Sequence, residues 1–391
     1  MGLGYEPSQL GGFYWEVVCS MYEAKVRKFE RNLFHKTPPY SGRNWGHNMH
    51  SLCSYQGKLK PAIAHHLVRE FTEPGWRILD PLSGSGTIPL EAALQGRMAY
   101  SNDLMELGYT LSLAKVGWGD WADAVDVRDD LIGFIEENKS DQDITRYSDW
   151  GFNGKIPEYY HEDTYREILC ARDYMHDNHA DSWNRALVYS CVLHLLHGNR
   201  PYALSRSSHP VTPFKPTGEF EYRPLERRLD EKMGRVEKSM KETSHTAGLT
   251  TNLDYKDLDY SELDAVITSP PFANSTRFYI ANWMRNWMCG WEPEDFMARR
   301  DDFIEHKQKN SMDVYGDFLG KCVQWLRPGG RLILHTGKTA KTDMADEIIN
   351  RAPSELKLVR SFDESVAGRE KFGISDQGAT TDHQYVFFER V

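Results

Sequence analysis

"RILDPLSGSGTIPLEAALQGRMAYSND", residues 77–103, holds the pattern that decides the fold. An apolar run ending at Asp80 reads as a strand, and "SGSGT" follows it as a glycine-rich loop. "IPLEAALQGR" then reads as a helix and "MAYSND" as a second short strand. A strand, a crossover helix and a second strand make a β-α-β unit, which implies a parallel sheet. Gly84 and Gly86 let the backbone come close to a ligand at the carboxyl end of the first strand, the usual binding edge of an open α/β sheet. No Lys follows the glycines, so this is not a phosphate loop, and Pro89 stands where a dinucleotide fingerprint needs its third glycine.

Outward from this unit the chain alternates between strand-poor and strand-rich stretches. Upstream, "FYWEVVCSMYEAKVRKFERNLF" predicts an amphipathic helix, and "PAIAHHLVREFT" a short helix that starts at Pro61. Downstream, residues 104 to about 248 read as helical and polar without an obvious strand. Within them "DSWNRALVYSCVLHLLHG" is an apolar-faced helix closed by Gly198. Strand signals return in "TTNLDYKDL" and "LDAVITSPPF". "VYGDFLGKCVQWLRPGGRLILHTG" then reads as helix, turn and strand. "LKLVRSF" and "HQYVFFERV" are expected to pair as an antiparallel edge.

Composition narrows the function classes. A net charge of −10 argues against strong non-specific binding to nucleic acid, so any phosphate contact has to come from a local basic patch. The six cysteines are scattered and form no Cys-x-x-Cys pair, which points to reduced thiols rather than a zinc site or disulfide framework. His194 and His197 share a helix face but have no evident third ligand, so no metal is expected. No apolar run approaches the roughly 18 residues a membrane span needs. The N-terminus lacks the layout of a signal peptide, and a cytoplasmic protein is expected.

Three acids, Asp80, Asp103 and Asp254, fall at the ends of predicted strands, where a nucleoside cofactor would meet them; each has a helix cap or turn as its plainer role. After the next strand stands "TSPPF", residues 268–272. Two prolines end a strand, because they donate nothing to the ladder and fix the backbone.

Together these segments resemble the class I S-adenosylmethionine-dependent methyltransferases, and among them the DNA amino-methyltransferases. "DPLSGSGT" is similar to their cofactor motif Asp-Pro-Phe-x-Gly-x-Gly-Thr, with Leu82 in place of Phe. "TSPPF" is similar to their catalytic Ser/Asp/Asn-Pro-Pro-Tyr/Phe. "SYQGKLKPAIAHHLV" resembles the segment that closes over the methionine end of the cofactor, and "LRPGGRLIL" a late helix-turn-strand of the fold. The resemblance covers residues 50–103 and 250–390. It implies a Rossmann-like α/β core with a mostly parallel seven-stranded sheet and an antiparallel C-terminal edge strand, interrupted by a helical insertion. The implied cofactor is S-adenosyl-L-methionine, held by Tyr55, Lys58, Asp80, Pro81, Ser83, Gly84, Ser85, Gly86, Thr87, Asp103 and Asp254, with Lys58 on its carboxylate.

The resemblance also gives the corner a chemistry. An exocyclic amino group is a poor nucleophile because its lone pair is delocalised into the ring. Two acceptors, one for each N–H, can pull that nitrogen out of conjugation; the family places them on the first side chain of the motif and the next carbonyl, here Ser269 and Pro270. Pro270 and Pro271 hold the acceptors in place and Phe272 offers a face to the base. A base in a duplex must flip out to reach them. Ser at the first position mostly marks cytosine-N4 enzymes, Asp or Asn adenine-N6 enzymes. The chain therefore resembles an N4-cytosine DNA methyltransferase. Adenine N6, an amino group in ribosomal or transfer RNA, and a non-catalytic nucleic-acid-binding relative are the alternatives. A cytosine-C5 enzyme would need a Cys after a Pro, and the chain has no such pair.

Three parts are expected: an N-terminal helical extension (1–50), the catalytic core (51–103 and 250–391), and an insertion (104–249) as the place for target recognition. Arg200, Arg206, Lys215 and Arg223, interleaved with aromatic residues, are the insertion's candidates for meeting DNA or RNA, against the plainer reading of a solvated loop. Arg277 and Arg285, after the corner, are further candidates. Trp283, Trp287 and Trp291 recur at helical spacing and read as core. A companion restriction nuclease is compatible with such an enzyme.

Overall fold

The computed structural model describes residues 21–42, 45–241, 245–273, 277–366, 370–371, 374–375 and 380–391. The start of the expected N-terminal helix, with Cys19 and the segment read for a leader, lies outside them, as do residues 274–276 after the corner. Helices α1 (21–32) and α2 (Pro61–Phe71) precede β1 (Arg77–Asp80), α3 (Thr87–Leu94) and β2 (Met98–Asn102). Helices α4 (Glu106–Val116), α5 (Trp121–Asn138), α6 (Glu162–Asp177), α7 (Trp183–Leu195) and α8 (Leu225–Lys241) come before β3 (Leu249–Thr251) and β4 (Leu263–Thr268). Four short helices follow: α9 (Phe278–Ala281), α10 (Trp283–Met288), α11 (Asp295–Ala298) and α12 (Ile304–Asn310). Then come α13 (Val314–Trp325), β5 (Leu326–Thr339), α14 (Met344–Ile349) and β6 (Leu356–Ser365). A small ribbon, β7 (Glu370–Lys371) with β8 (Ile374–Ser375), precedes β9 (Thr380–Arg390).

Seven strands form one sheet in the order β3-β2-β1-β4-β5-β9-β6. β1 pairs in parallel with β2 and β4, β2 with β3, and β4 with β5, while β9 runs antiparallel to both β5 and β6. The C-terminal pair is thus antiparallel at one margin of the sheet, with β9 inserted inside β6. The burial pattern explains which strand is outermost. Tyr385 to Phe388 of β9 are fully buried on both faces, whereas Leu358 of β6 is 40% exposed.

Alternation along the strands divides the core in two, as the period of two requires. Ile78, Ala265, Ile267, Ile333 and Phe387 face one side, under α1, α2 and α3. Leu79, Val266, Leu332, Leu334 and Phe388 face the other, under α13 and α14. A third cluster joins α4, α5, α6, α7 and α8 to α10, and it includes Trp283, Trp287 and Trp291, which are core as expected. α4 itself packs on β2 and β3. Its N-terminal turn begins just past the carboxyl end of β2, so this third cluster reaches the binding edge of the sheet.

No helix among the described residues is long and apolar enough to cross a membrane. Nor does any group of three or more His, Cys, Asp or Glu among them have the arrangement to hold a metal ion.

Candidate active site

The order β3-β2-β1-β4 places the connections leaving β1 and β4 side by side where the chain's winding reverses, and such a point opens a crevice at the carboxyl ends of the strands. A cavity of about 610 Å³ occupies it. Asp80, Ser83, Gly84, Ser85 and Thr87 line it from the first crossover, Asp103 and Asp254 from β2 and β3, and Ser269 to Ala273 from β4. Tyr55 and Lys58 line it from the segment before α2. Segments more than 200 residues apart thus meet in one chamber, sized for a cofactor with a second small group.

The glycine loop is held from below. Gly84 N–H donates to Asp103 Oδ2 at 2.7 Å, and Asp103 Oδ1 accepts from Met105 N–H at 2.9 Å. Asp103 therefore ties the loop to the end of β2 while still lining the cavity. Gly86 adopts φ +71°, and a Cβ there would stand 2.8 Å from Ser112 Oγ, so the position requires glycine on two counts. Pro81 and Gly86 shape the loop rather than line the chamber; the Pro81 carbonyl accepts from Asn102 Nδ2 at 3.2 Å. Lys115 lies buried beneath, its Nζ donating to the Ser85 carbonyl, and burial pushes its ammonium down to about 7. Above the loop, the Tyr55 ring covers Gly84. Lys58 donates to the His50 carbonyl at 2.7 Å, and burial lowers its pKa. Asp254 caps the single turn Tyr255–Asp257 through Lys256 N–H at 3.0 Å.

The Ser-Pro-Pro-Phe corner leaves the neighbouring strand β4 and lines the same cavity. Tyr315 Oη donates to Gln308 Oε1 at 2.9 Å and lies 3.4 Å from the Pro271 carbonyl, and Gln308 Nε2 donates to the Phe272 carbonyl at 3.3 Å, so α12 and α13 brace the corner from behind. Both braces bypass the Pro270 carbonyl. Ser269 Oγ is 3.0 Å from Nδ1 of His335, a buried residue of β5. The Phe272 ring rests against β5 at Gly337, where a Cβ would come within 2.3 Å of its Cδ2. His383 of β9 lies 5.8 Å from the same ring, and it too lines the cavity.

The cavity is rich in carboxylates. Burial pushes Asp80 and Asp103 each up to about 7. Glu305 of α12, which the sequence did not single out, also lines the cavity and is likewise pushed up by burial to about 7. Its Oε2 accepts from Phe278 N–H at 2.9 Å. Asp254 and Asp302 complete the acidic lining, against Lys58 and Lys60. Among the described residues no arginine lines the chamber, so a polyphosphate would meet mostly like charge from them. A ligand with a sulfonium, an ammonium and one carboxylate fits this balance, with the acids facing its positive centres and a lysine available for its carboxylate. S-adenosyl-L-methionine has that charge pattern.

The basic residues expected to meet nucleic acid divide into two sets. Arg285 is fully buried; its guanidinium donates to the carbonyls of Leu193, Val211 and Pro210, which makes it an internal strut and not a nucleic-acid contact. Arg223 donates to the Ala203 and Ser205 carbonyls and pairs with Glu221, and Arg206 donates to the Gly218 and Glu158 carbonyls. These two are engaged in folding the 199–223 loop. Arg200, Lys215 and Arg277 are exposed, together with Phe214, Phe220 and Tyr222.

Residues 50–141 match the model of a family described as UPF0020, RMKL-like, methyltransferase domain. The match spans well under half of the chain and takes in the glycine loop and Asp103. Among curated proteins none matches the sequence. Solved structures with a similar frame include TrmN from Thermus thermophilus (15% identity, 86% of this chain and 50% of that one, TM-score 0.34). Others are a methyltransferase from Pyrococcus furiosus (8%, 94% and 98%, 0.35) and the rRNA methyltransferase aviRa from Streptomyces viridochromogenes (11%, 86% and 88%, 0.32). The chain spans half the length of the Thermus protein. TM-scores this low carry no argument about substrate. The family match, the strand order and the cavity support an S-adenosylmethionine-dependent methyltransferase with a class I, Rossmann-like core.

Proposed function

We propose that the chain transfers the methyl group of S-adenosylmethionine to an exocyclic amino group of a nucleic-acid base, with cytosine N4 in DNA as the first reading. The observation that carries this is the convergence of the glycine loop and the Ser-Pro-Pro-Phe corner on one cavity. When bound, the cofactor supplies an electrophilic methyl on a sulfonium. The chain's own residues do the rest. Asp80, Asp103 and Glu305 offer negative charge to the cofactor's positive centres, and Tyr55 closes over the loop. Ser269 Oγ and the Pro270 carbonyl accept the two amino N–H groups, and Phe272 offers a ring face to the base. The proline backbone keeps the acceptors in place before the substrate arrives, so little reorganisation is needed during transfer. The 104–249 insertion, with Arg200 and Lys215 exposed beside aromatic rings, is the proposed recognition surface.

RNA is the second reading. It is favoured by the withdrawal of Arg206, Arg223 and Arg285 into internal hydrogen bonds, which leaves fewer of the candidate cations for a duplex backbone. Methyl transfer from labelled cofactor to DNA, ribosomal RNA and transfer RNA, run in parallel, separates the two. Label in DNA, in N4-methylcytosine after hydrolysis, is the expected result; label in RNA alone would overturn the DNA reading. Ser269→Ala is expected to lower transfer by about 100-fold or more while cofactor affinity stays within about twofold. Unchanged turnover would remove Ser269 from the mechanism.

A further inference from the structure

A serine hydroxyl is an ambiguous acceptor. Its oxygen carries two lone pairs, but its hydrogen rotates freely and can point at an incoming N–H, where donor would meet donor. For Ser269 to accept reliably, something must take that hydrogen. In the fold the group within reach is Nδ1 of His335, 3.0 Å from Ser269 Oγ. β5 runs beside β4 with Leu334 opposite Thr268, so the next residue on β5, His335, reaches the residue that leaves β4.

Two arrangements of the ring protons are open. If Nδ1 carried the hydrogen it would donate to Ser269, and the serine hydrogen would be left facing the cavity. If Nε2 carries it, Nδ1 accepts the serine hydrogen and the serine lone pairs remain for the substrate. The surroundings favour the second. Nε2 is buried and has no hydrogen-bond partner among the described residues. Around the imidazole stand the rings of Phe272, His383 and Tyr385, with centroids at 5.5, 4.8 and 5.1 Å and interplanar angles of 49°, 80° and 63°. An Nε2–H in this setting can meet a neighbouring ring in an N–H···π contact, an interaction that a bare lone pair cannot make. A fully buried imidazole amid these rings also stays neutral, since burial holds its pKa well below the usual histidine value.

We propose that His335 is a positioning residue for methyl transfer: it takes the Ser269 hydroxyl hydrogen at Nδ1 and thereby turns the serine oxygen into a dedicated acceptor for the substrate amino group. The inference rests on the amino-transfer reading of the site. It also accounts for how serine can stand where a carboxylate or carboxamide acceptor serves in the related motifs: the histidine supplies the fixed orientation that a hydroxyl lacks.

Two measurements test it. The first is nitrogen NMR on histidine-labelled protein with S-adenosylmethionine bound, which needs no nucleic acid. The His335 ring is expected to show a protonated Nε2 and a hydrogen-bonded, unprotonated Nδ1, and Ser269→Ala is expected to shift the Nδ1 resonance. A protonated Nδ1 would overturn the proposal.

The second is turnover on whichever nucleic acid takes label. His335→Leu keeps a side chain of moderate size but no acceptor, and is expected to lower kcat by about 30-fold with KM and cofactor affinity nearly unchanged. His335→Asn restores an acceptor oxygen close to the Nδ1 position, and is expected to recover about tenfold of that loss. Equal damage by both variants would point to packing and sink the proposal. In the Ser269→Ala background, His335→Leu is expected to cost nothing further, because the pair acts as a unit. If Ser269→Ala itself leaves turnover intact, the amino-transfer reading fails; if it abolishes turnover but Leu and Asn behave alike at 335, only the histidine's role fails.

Discussion

At the residue scale, the site depends on a few positions where one atom more or less is decisive. Gly337 is one. The Phe272 ring occupies the space a side chain would take on β5, so Gly337→Ala is expected to push the ring into the substrate end of the cavity. Turnover should fall by about tenfold or more, with cofactor affinity unchanged, because Phe272 belongs to the corner and not to the glycine loop; equal loss of both in titration and steady-state assays would contradict this. Gly86→Ala should act in the opposite manner. The left-handed backbone and the contact with Ser112 predict a loss of about 1–3 kcal/mol in stability, read by denaturant unfolding, with weakened cofactor binding. The sequence made the glycine loop fully readable and the substrate side only in part. "DPLSGSGT" and "TSPPF" are contiguous, so their spacing alone exposes them. His335, His383 and Glu305 come to the cavity from β5, β9 and α12, and nothing in their local patterns differs from that of any buried strand or short helix.

At the scale of elements, α10 and the 199–223 loop show how charge can mislead when read along the chain. Arg285 sits among tryptophans on α10, where a cation reads equally well as a ligand contact or as a strut. Three carbonyls from α7 and the 199–223 loop settle it as a strut. Arg285→Ala is therefore expected to cost about 3–5 kcal/mol of stability by leaving buried acceptors unpaired, with melting temperature as the readout. Replacing Arg200 and Lys215 with Ala should leave the melting temperature nearly unchanged but weaken nucleic-acid binding and reduce its salt dependence by about one to two in slope. An unchanged salt slope would take the 199–222 loop out of the interface. The same contrast explains what the sequence conveyed here: helix existence followed from apolar periodicity, whereas the fate of each arginine depended on which loop lay over it.

At the scale of the whole molecule, three carboxyls raised to about 7 by burial face a ligand of positive charge. An acid whose pKa is raised on folding binds more protons folded than unfolded between its two pKa values, so the stability it contributes declines as pH rises from about 4 to about 7. The ligand-free protein is expected to lose melting temperature over that window. Cofactor binding has the reverse sign: ionised acids attract the sulfonium, so affinity for S-adenosylmethionine should tighten from about pH 6 to about pH 8, with protons released on binding. S-adenosylhomocysteine, whose sulfur is neutral, should tighten less; calorimetry in buffers of different ionisation enthalpy measures both, and equal pH dependence of the two ligands would refute the charge argument. The topology bears on time as well as on charge. β9 follows every other strand along the chain yet lies between β5 and β6, and it carries His383 to the cavity. During synthesis the two strands it will join must wait with unpaired edges, and β5, at 14 residues, is a long one. Until β9 has left the ribosome, the nascent chain can fold its glycine loop but cannot finish the pocket it serves.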